Sequence, residues 1–192
     1  MTLRPLHWTL GLALAVAGCA PPTSGDDGAL RPAAFIVGGP ETGQRAPIFT
    51  LPGATREGAL AAPWDLSLQR GRVTVIAFYP GDFTSGCTAE WQTFAQRGEE
   101  LFGGDVAVVG ISADTVASHV AFAQQLGLPY TLLSDPDLRV ARLYGSAGDQ
   151  GRARRTVYVL DRDGKVTYRD LHFGALDPKS YDALQQAVAA LR

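Results

Sequence analysis

One cysteine, Cys87, lies in a sequence context that favours a reactive thiol. It follows an apolar run over 73–79 that is typical of a buried β-strand, and a loop over 80–85 with the sequence Pro-Gly-Asp-Phe-Thr-Ser. An amphipathic pattern starts directly after this loop, which predicts Cys87 in the first turn of a helix, at the C-terminal edge of a sheet. Unpaired N–H groups and the positive end of the helix dipole favour a thiolate there. We therefore predict a reactive-cysteine enzyme, although a lone cysteine is more often a small buried apolar residue.

Composition narrows the class of protein. The chain has 192 residues, a formal net charge of −2 and 46% hydrophobic residues, which predicts one domain with a sizeable core plus a tail. It contains no basic stripe or charge block, so nucleic acid is not an expected partner.

The N-terminal residues have the pattern of a targeting segment. Arg4 and His7 precede an apolar stretch over 9–17 that is too short to span a membrane, and Val-Ala-Gly-Cys at 16–19 resembles the lipobox of bacterial lipoproteins. The resemblance implies a signal peptide over 1–18 and lipidation of Cys19. An ordinary secretory signal with an incidental cysteine is the alternative.

The predicted domains follow from this N-terminus. Residues 19–44 are rich in Pro, Gly and Ser and are expected to form a lipidated flexible tether, and 45–192 form the globular domain. The protein would be a lipid-anchored lipoprotein of the cell envelope, on the periplasmic side of the outer or inner membrane or on the extracytoplasmic surface. A lipidated Cys19 cannot pair with Cys87, so an unpaired thiol in an oxidising compartment calls for a chemical role.

The order of predicted elements is that of a thioredoxin-like α/β domain, with a central mixed sheet flanked by helices and an N-terminal β-hairpin extension. The elements are extended segments at 48–51 and 64–68, the strand 73–79, a helix from Thr84 or Ser85 to Phe102, a strand at 106–111, a helix capped by Asp114 and ending near Gly127, an extended run at 132–134, a helix opened by Asp135 and Pro136, a hairpin of 156–160 with 166–168, and a last helix opened by Asp177 and Pro178.

Several segments resemble the peroxiredoxin family. Pro80-x-x-x-Thr84-x-x-Cys87 resembles its active-site motif, and the surrounding residues are similar to the bacterioferritin-comigratory subgroup. The resemblance extends over about 43–175 and includes the segments 110–114, 126–135 and 155–161. It implies a thiol-dependent peroxidase that needs no cofactor or metal.

The resemblance also implies roles for individual residues. Cys87 would attack the peroxide, and the charge of Arg155 would stabilise both the thiolate and the departing oxygen. The hydroxyl of Thr84 would orient the peroxide, and Pro80 would shape the loop and shield the thiolate from water. Glu90 would orient Arg155, or would be a solvated acid of the helix.

The choice of arginine and the mode of recycling are separate questions. Arg152 and Arg154 are close alternatives to Arg155. Gln92 stands where one subgroup has a resolving cysteine, so we predict a one-cysteine enzyme that is reduced by an external thiol, either a thioredoxin-like protein or a low-molecular-weight thiol. The expected substrate is hydrogen peroxide or an organic hydroperoxide, and the resemblance allows a homodimer.

A thioredoxin-like lipoprotein without peroxidase activity remains the alternative. Thiol–disulfide exchange would need a second cysteine at position 90, which is Glu90, and a copper carrier would need one at position 91, which is Trp91. His172 could be imagined as a further copper ligand, but one thiol and one imidazole make a weak site. We expect His119 and His172 to be packing or surface residues.

Overall fold

The structure, a computed structural model, describes residues 1–2 and 38–192. The predicted lipidation site Cys19, residues 3–18 of the predicted signal peptide and 20–37 of the predicted tether lie outside the described residues. Within the described part of the chain, no helix is long and apolar enough to cross a membrane.

The described domain alternates strands and helices in the predicted order. In chain order the elements are β1 (Thr50–Leu51), β2 (Gly53–Thr55), β3 (Gly58–Ala59), β4 (Trp64–Asp65), a 3₁₀ helix (Leu66–Gln69), β5 (Val73–Phe78), α1 (Ser85–Gln96), α2 (Gly98–Leu101), β6 (Val106–Ser112), α3 (Val116–Leu126), β7 (Thr131–Ser134), α4 (Arg139–Leu143), β8 (Thr156–Leu160), β9 (Val166–Asp170) and α5 (Pro178–Ala189).

Seven strands form one mixed sheet in the order β3-β2-β7-β6-β5-β8-β9. β5, β6 and β7 are parallel neighbours, whereas β8 pairs with β5 in antiparallel orientation. Helices cover the sheet, so the predicted thioredoxin-like architecture is confirmed. The C-terminal end of β5 lies beside the start of β8, because Phe78 pairs with Thr156.

The central strand β5 contributes to the core on both faces of the sheet. Val75 and Ala77 pack in the cluster that contains residues of α1, α3 and α5, whereas Ile76 and Phe78 pack in the cluster that contains α4 and the N-terminal segment. This alternation follows from the two-residue period of a strand. It explains why the whole run is apolar and why its end is held in a fixed position.

The N-terminal extension is partly as predicted. β1 and β4 form the expected antiparallel pair, but Leu66–Gln69 is a 3₁₀ helix capped by Asp65 and not a continuation of the strand. The hairpin of β2 and β3, which joins the main sheet by pairing with β7, is not predicted by the sequence patterns. These strands have two or three residues, too few for a periodic pattern.

Residues 38–44, which belong to the predicted flexible tether, pack against the domain. Gly43 N–H donates to the carbonyl of Val166 at 2.8 Å, and Val166 N–H donates to the carbonyl of Gln44 at 2.9 Å. A Cβ on Gly39 would lie 2.1 Å from the carbonyl oxygen of Tyr144. The predicted domain start at residue 45 is therefore too late, because glycines that suggested flexibility serve here for close backbone approach.

The predicted helix to Phe102 is interrupted. α1 ends at Gln96, and the short α2 follows. The hydroxyl of Tyr130 donates to the carbonyl of Phe94 at 2.7 Å, and that carbonyl would accept the N–H of Gly98 in a continuous helix. A Cβ on Gly98 would lie 2.3 Å from the same hydroxyl. A long-range contact therefore ends α1 where periodicity alone would continue it.

Two helix caps also differ from the prediction. Thr115, not Asp114, caps α3 by accepting the N–H of Ser118. The helix expected at Asp135 and Pro136 begins only at Arg139. Its N-cap residue is Leu138, and the carboxylate of Asp135 accepts the N–H groups of Val140 and Ala141 in its first turn, at 3.2 and 2.8 Å.

Candidate active site

Cys87 lies in the first turn of α1, directly after the loop that leaves β5. The helix begins at Ser85 because Thr84 has an extended backbone conformation and caps it. The Thr84 hydroxyl accepts the N–H of Cys87 at 3.4 Å and donates to the carbonyl of Gly81 at 3.2 Å. Cys87 is a free cysteine with no exposed surface. Its thiol therefore lies at the N-terminal end of a helix and away from bulk water.

Arg155 reaches this thiol from the neighbouring strand. It immediately precedes β8, whose start lies beside the end of β5, and its Nη2 donates to Cys87 Sγ at 3.4 Å. Arg154 points elsewhere, since its guanidinium donates to the carbonyl of Gly145. The structure thus brings Arg155, and not Arg154, to Cys87.

Gly86 permits this approach. A Cβ at position 86 would lie 3.2 Å from Nη2 of Arg155, which is tighter than an ordinary van der Waals contact. The glycine therefore leaves room for the guanidinium beside the first turn of α1. No sequence pattern predicts this role for Gly86.

Glu90 holds the other side of the guanidinium. Its Oε2 accepts a hydrogen bond from Nη1 of Arg155, and its side chain is completely buried, so it is not a solvated helix acid. Its Oε1 has no hydrogen-bond partner among the described residues. Burial, only partly offset by Arg155, raises the pKa of Glu90 to about 7. Although burial works in the opposite direction, the charges of Glu90 and Cys87 raise the pKa of Arg155.

Pro80 lies on the same loop and lines an open groove of about 420 Å³. Arg155, His172 and Phe173 also line this groove, whose other lining residues include Arg152 and Asp149. The four residues Cys87, Thr84, Arg155 and Glu90 are linked by direct contacts, and Pro80 is joined to them through the loop and the groove.

A buried polar cluster, which the sequence patterns do not predict, lies behind the same loop. Asp82, from the loop, lies 2.9 Å from the imidazole of His119, which is fully buried on α3. Of the two expected places for His119, packing or surface, the structure shows the buried one, where His119 is also the partner of a carboxylate. One signal could have found it: His119 is three residues before Phe122 and four before Ala123, which places all three on the inward face of α3.

The geometry suits nucleophilic chemistry at sulfur. A thiolate of Cys87 would be stabilised by the guanidinium of Arg155 and by the N-terminal end of α1. Negative charge that develops on an atom next to the sulfur would meet the same preorganised cation.

Comparisons with known proteins agree with this geometry. The AhpC/TSA family model matches residues 42–169. A peroxiredoxin bcp of Coxiella burnetii is 40% identical over 134 residues, which are 66% of this chain and 85% of that protein. The chloroplastic peroxiredoxin Q of Arabidopsis thaliana is 41% identical over 126 residues, 65% of this chain and 56% of that protein.

Solved structures of peroxiredoxins are also similar to this chain. The peroxidoxin BcpB of Mycobacterium tuberculosis is 30% identical, with a TM-score of 0.68 over 80% of this chain and 99% of that one. The bacterioferritin comigratory protein of Xanthomonas campestris is 26% identical, with a TM-score of 0.61 over 73% of this chain and 90% of that one. The chain belongs to the AhpC/TSA family and, within it, to the peroxiredoxins of the bacterioferritin-comigratory type, which are thiol-dependent peroxidases.

Proposed function

We propose that this peroxiredoxin is a one-cysteine peroxidase of the cell envelope, with Cys87 as its peroxidatic residue and an external thiol as its reductant. One observation carries the assignment: Arg155 Nη2 donates to the buried Sγ of Cys87 at the N-terminal end of α1. Among the described residues Cys87 is the free cysteine.

In the first step the thiolate attacks the terminal oxygen of a hydroperoxide. The O–O bond breaks, the attacked oxygen stays on the sulfur with its hydrogen as a sulfenic acid, and the other oxygen leaves as hydroxide or alkoxide, which takes a proton from solvent to become water or an alcohol. Arg155 stabilises the charge on the departing oxygen. The Thr84 oxygen, which accepts the N–H of Cys87 and donates a hydrogen bond to the carbonyl of Gly81, keeps a second lone pair that can accept a hydrogen bond from the peroxide O–H.

In the second step an external thiol attacks the sulfenic sulfur, forming a mixed disulfide and releasing water. A second thiol then breaks this disulfide, which regenerates Cys87 and leaves the reductant as its disulfide. Gln92 supports external reduction, because it stands five residues after Cys87, where one subgroup has a resolving cysteine. Its side chain is exposed on α1. The reductant is a thioredoxin-like protein or a low-molecular-weight thiol.

We place the enzyme at the envelope because of the lipobox-like residues 16–19. A lipid on Cys19 would anchor the domain to a membrane through its acyl chains, since each buried CH₂ contributes about 0.8 kcal/mol. It would also remove the second thiol of the chain from disulfide chemistry.

The decisive experiment measures peroxide consumption by the purified protein with a panel of thiol donors, beside Cys87→Ser as a nearly isosteric control. We expect thiol-dependent turnover by the wild-type protein and none by the variant, with unchanged circular dichroism and thermal unfolding. A Cys87→Ser protein that turned over peroxide at the wild-type rate would refute the assignment. A wild-type protein inert towards every peroxide and thiol would favour a binding lipoprotein.

A further inference from the structure

A buried polar cluster lies beside the reacting residues without touching the thiol. The carboxylate of Asp82 accepts a hydrogen bond from the Tyr79 hydroxyl at 2.7 Å on one oxygen and from the Ser118 hydroxyl at 2.7 Å on the other. The second oxygen also lies 2.9 Å from Nδ1 of His119. We call these four residues the Asp82 cluster. The side chains of Asp82 and His119 are 1% and 0% exposed, so this is not a solvated surface contact.

The surroundings of His119 indicate an ion pair. Its Nδ1 faces the carboxylate of Asp82, and its Nε2 lies 3.1 Å from the carbonyl oxygen of Leu133. Both oxygens only accept hydrogen bonds, so both contacts are hydrogen bonds when each ring nitrogen carries a proton. The Tyr79 hydroxyl, 3.3 Å from Nδ1, donates its own proton to Asp82. Although burial opposes it, the contacts with His119, Ser118 and Tyr79 lower the pKa of Asp82.

The Asp82 cluster ties the active-site loop to α3. Ser118 and His119 belong to α3, whereas Asp82 belongs to the loop between β5 and α1. The backbone of the loop is held as well, because the N–H of Asp82 donates to the carboxylate of Asp114 at 2.8 Å. A Cβ on Gly81 would lie 3.1 Å from that carboxylate, so the loop runs close against it.

Phe83, which follows Asp82, has the conformation that the attachment of the loop to α3 maintains. Phe83 has a φ of 59°, in the left-handed region that residues with a Cβ rarely adopt. Its ring packs edge-on against Phe122 of α3, with centroids 5.2 Å apart, although about half of the side chain is exposed. Thr84 follows directly, and its hydroxyl caps α1 at Cys87. The conformation at Phe83 therefore decides where the Thr84 hydroxyl and the first turn of α1 lie.

Stability alone is a weak reason for such a pair. Burying an imidazolium and a carboxylate carries a desolvation penalty that can exceed the attraction between them, and apolar replacements of similar volume are often as stable. A pair that joins a loop in a disfavoured conformation to a rigid helix has a geometric role that an apolar contact would not reproduce.

We propose that Asp82 and His119 are positioning residues for the peroxidase reaction: their buried pair holds the loop so that Thr84 and the first turn of α1 are aligned around Cys87. This inference rests on the proposed peroxidase function. Neither residue contacts the sulfur, so both act through the loop and through Thr84.

The test compares two reactions of the same thiol in the full-length protein. Rapid mixing gives the rate of Cys87 oxidation by hydrogen peroxide, and alkylation by iodoacetamide gives a rate that does not require an aligned peroxide. The variants are Asp82→Asn and His119→Gln, which remove one charge each while keeping a polar side chain of similar size. We expect the peroxide rate to fall by about tenfold or more, because misplacement of reacting groups is costly, while alkylation falls less or rises.

Two further variants serve as controls. Ser118→Ala removes a neutral hydrogen bond to the same carboxylate oxygen and should lower the ratio of the peroxide rate to the alkylation rate, but less than the charge variants do. Thr115→Ala removes the cap of α3 and should lower the melting temperature without changing that ratio. The double variant Asp82→Asn/His119→Gln should lose no more than the more damaging single change, because both remove the same pair.

The proposal fails if the folded charge variants keep a peroxide rate within about twofold of wild type, or if both rates fall in parallel. It also fails if Thr115→Ala lowers the ratio as much as the charge variants do. If neither charge variant folds, Ser118→Ala decides: a lowered ratio supports the proposal and an unchanged ratio overturns it. An inert wild-type protein would instead refute the proposed peroxidase function.

Discussion

Replacement of Glu90 by glutamine tests the electrostatics of the active site through the stability of the fold. Glu90 is fully buried, one of its oxygens is bound by Arg155, and the other has no hydrogen-bond partner within the described residues. Burial raises its pKa from 4.5 to about 7, against the opposing effect of Arg155. Glutamine has the shape of the protonated acid but cannot ionise.

The sign and size of the effect follow from proton linkage. Between pH 4.5 and about 7 the folded protein holds the proton of Glu90 whereas the unfolded chain loses it, so stability falls as the pH rises through this window. Each pKa unit corresponds to about 1.4 kcal/mol, so ionisation of Glu90 costs the fold on the order of 3 kcal/mol above the window. The glutamine variant avoids this cost.

The assay is urea unfolding of the wild type and Glu90→Gln at both ends of the window. We compare the free energy of unfolding of the variant minus that of wild type. This difference should be larger at the high-pH end of the window than at the low-pH end by about 3 kcal/mol, so the variant is relatively more stable at high pH. Glu100→Gln is the matched control, because Glu100 is an exposed acid on α2 whose pKa is lowered by its hydrogen bonds with Arg97. Its replacement should act in the opposite direction, with a loss that appears as the pH rises.

A pH-independent difference between wild type and Glu90→Gln would show that Glu90 does not titrate in this window. A variant that became relatively less stable at high pH would show that Arg155 holds the carboxylate ionised despite burial. Either result would refute the reasoning that desolvation outweighs the ion pair.

Two further predictions concern the thiol. Arg155→Met should raise the barrier of the reaction of Cys87 with peroxide by about 3 kcal/mol, the scale of one oxyanion donor, whereas Arg154→Met should change little. Equal losses in the two variants, measured by rapid mixing, would contradict this prediction. One equivalent of peroxide should convert Cys87 of the mature protein to a sulfenic acid without an intramolecular disulfide, and the mass spectrum should show acyl groups on Cys19. A disulfide bridge between Cys19 and Cys87 would overturn the one-cysteine proposal. An unmodified Cys19 in the mature protein would overturn the lipoprotein proposal.

The local parts of the site were predictable because each depends on residues close in sequence. The apolar run that became β5, the loop after it and the cap at Thr84 together place Cys87 in the first turn of a helix. The hairpin of β8 and β9 follows from its own turn residues, Asp163 and Gly164. The family resemblance implied Arg155 over Arg152 and Arg154. The pairing of β8 with β5 then brought Arg155 to Cys87 in the structure.

The remaining parts depend on contacts between distant segments. The break after α1 requires the hydroxyl of Tyr130, and the assignment of residues 38–44 to the domain requires their hydrogen bonds with β9. Neither contact leaves a periodic signal, so the sequence patterns predicted a longer helix and a longer tether.

The sequence alone determined the kind of chemistry: a thiol at a strand–loop–helix junction and, later in the chain, a second predicted strand with arginines directly before it. Only the tertiary structure decided the electrostatic environment of that thiol. It buried Glu90 beside Arg155, and it brought Asp82 against His119 across 37 residues. The physical reason is that desolvation and charge pairing depend on which surfaces close over a residue, and the packing of α1 and α3 on the sheet sets those surfaces.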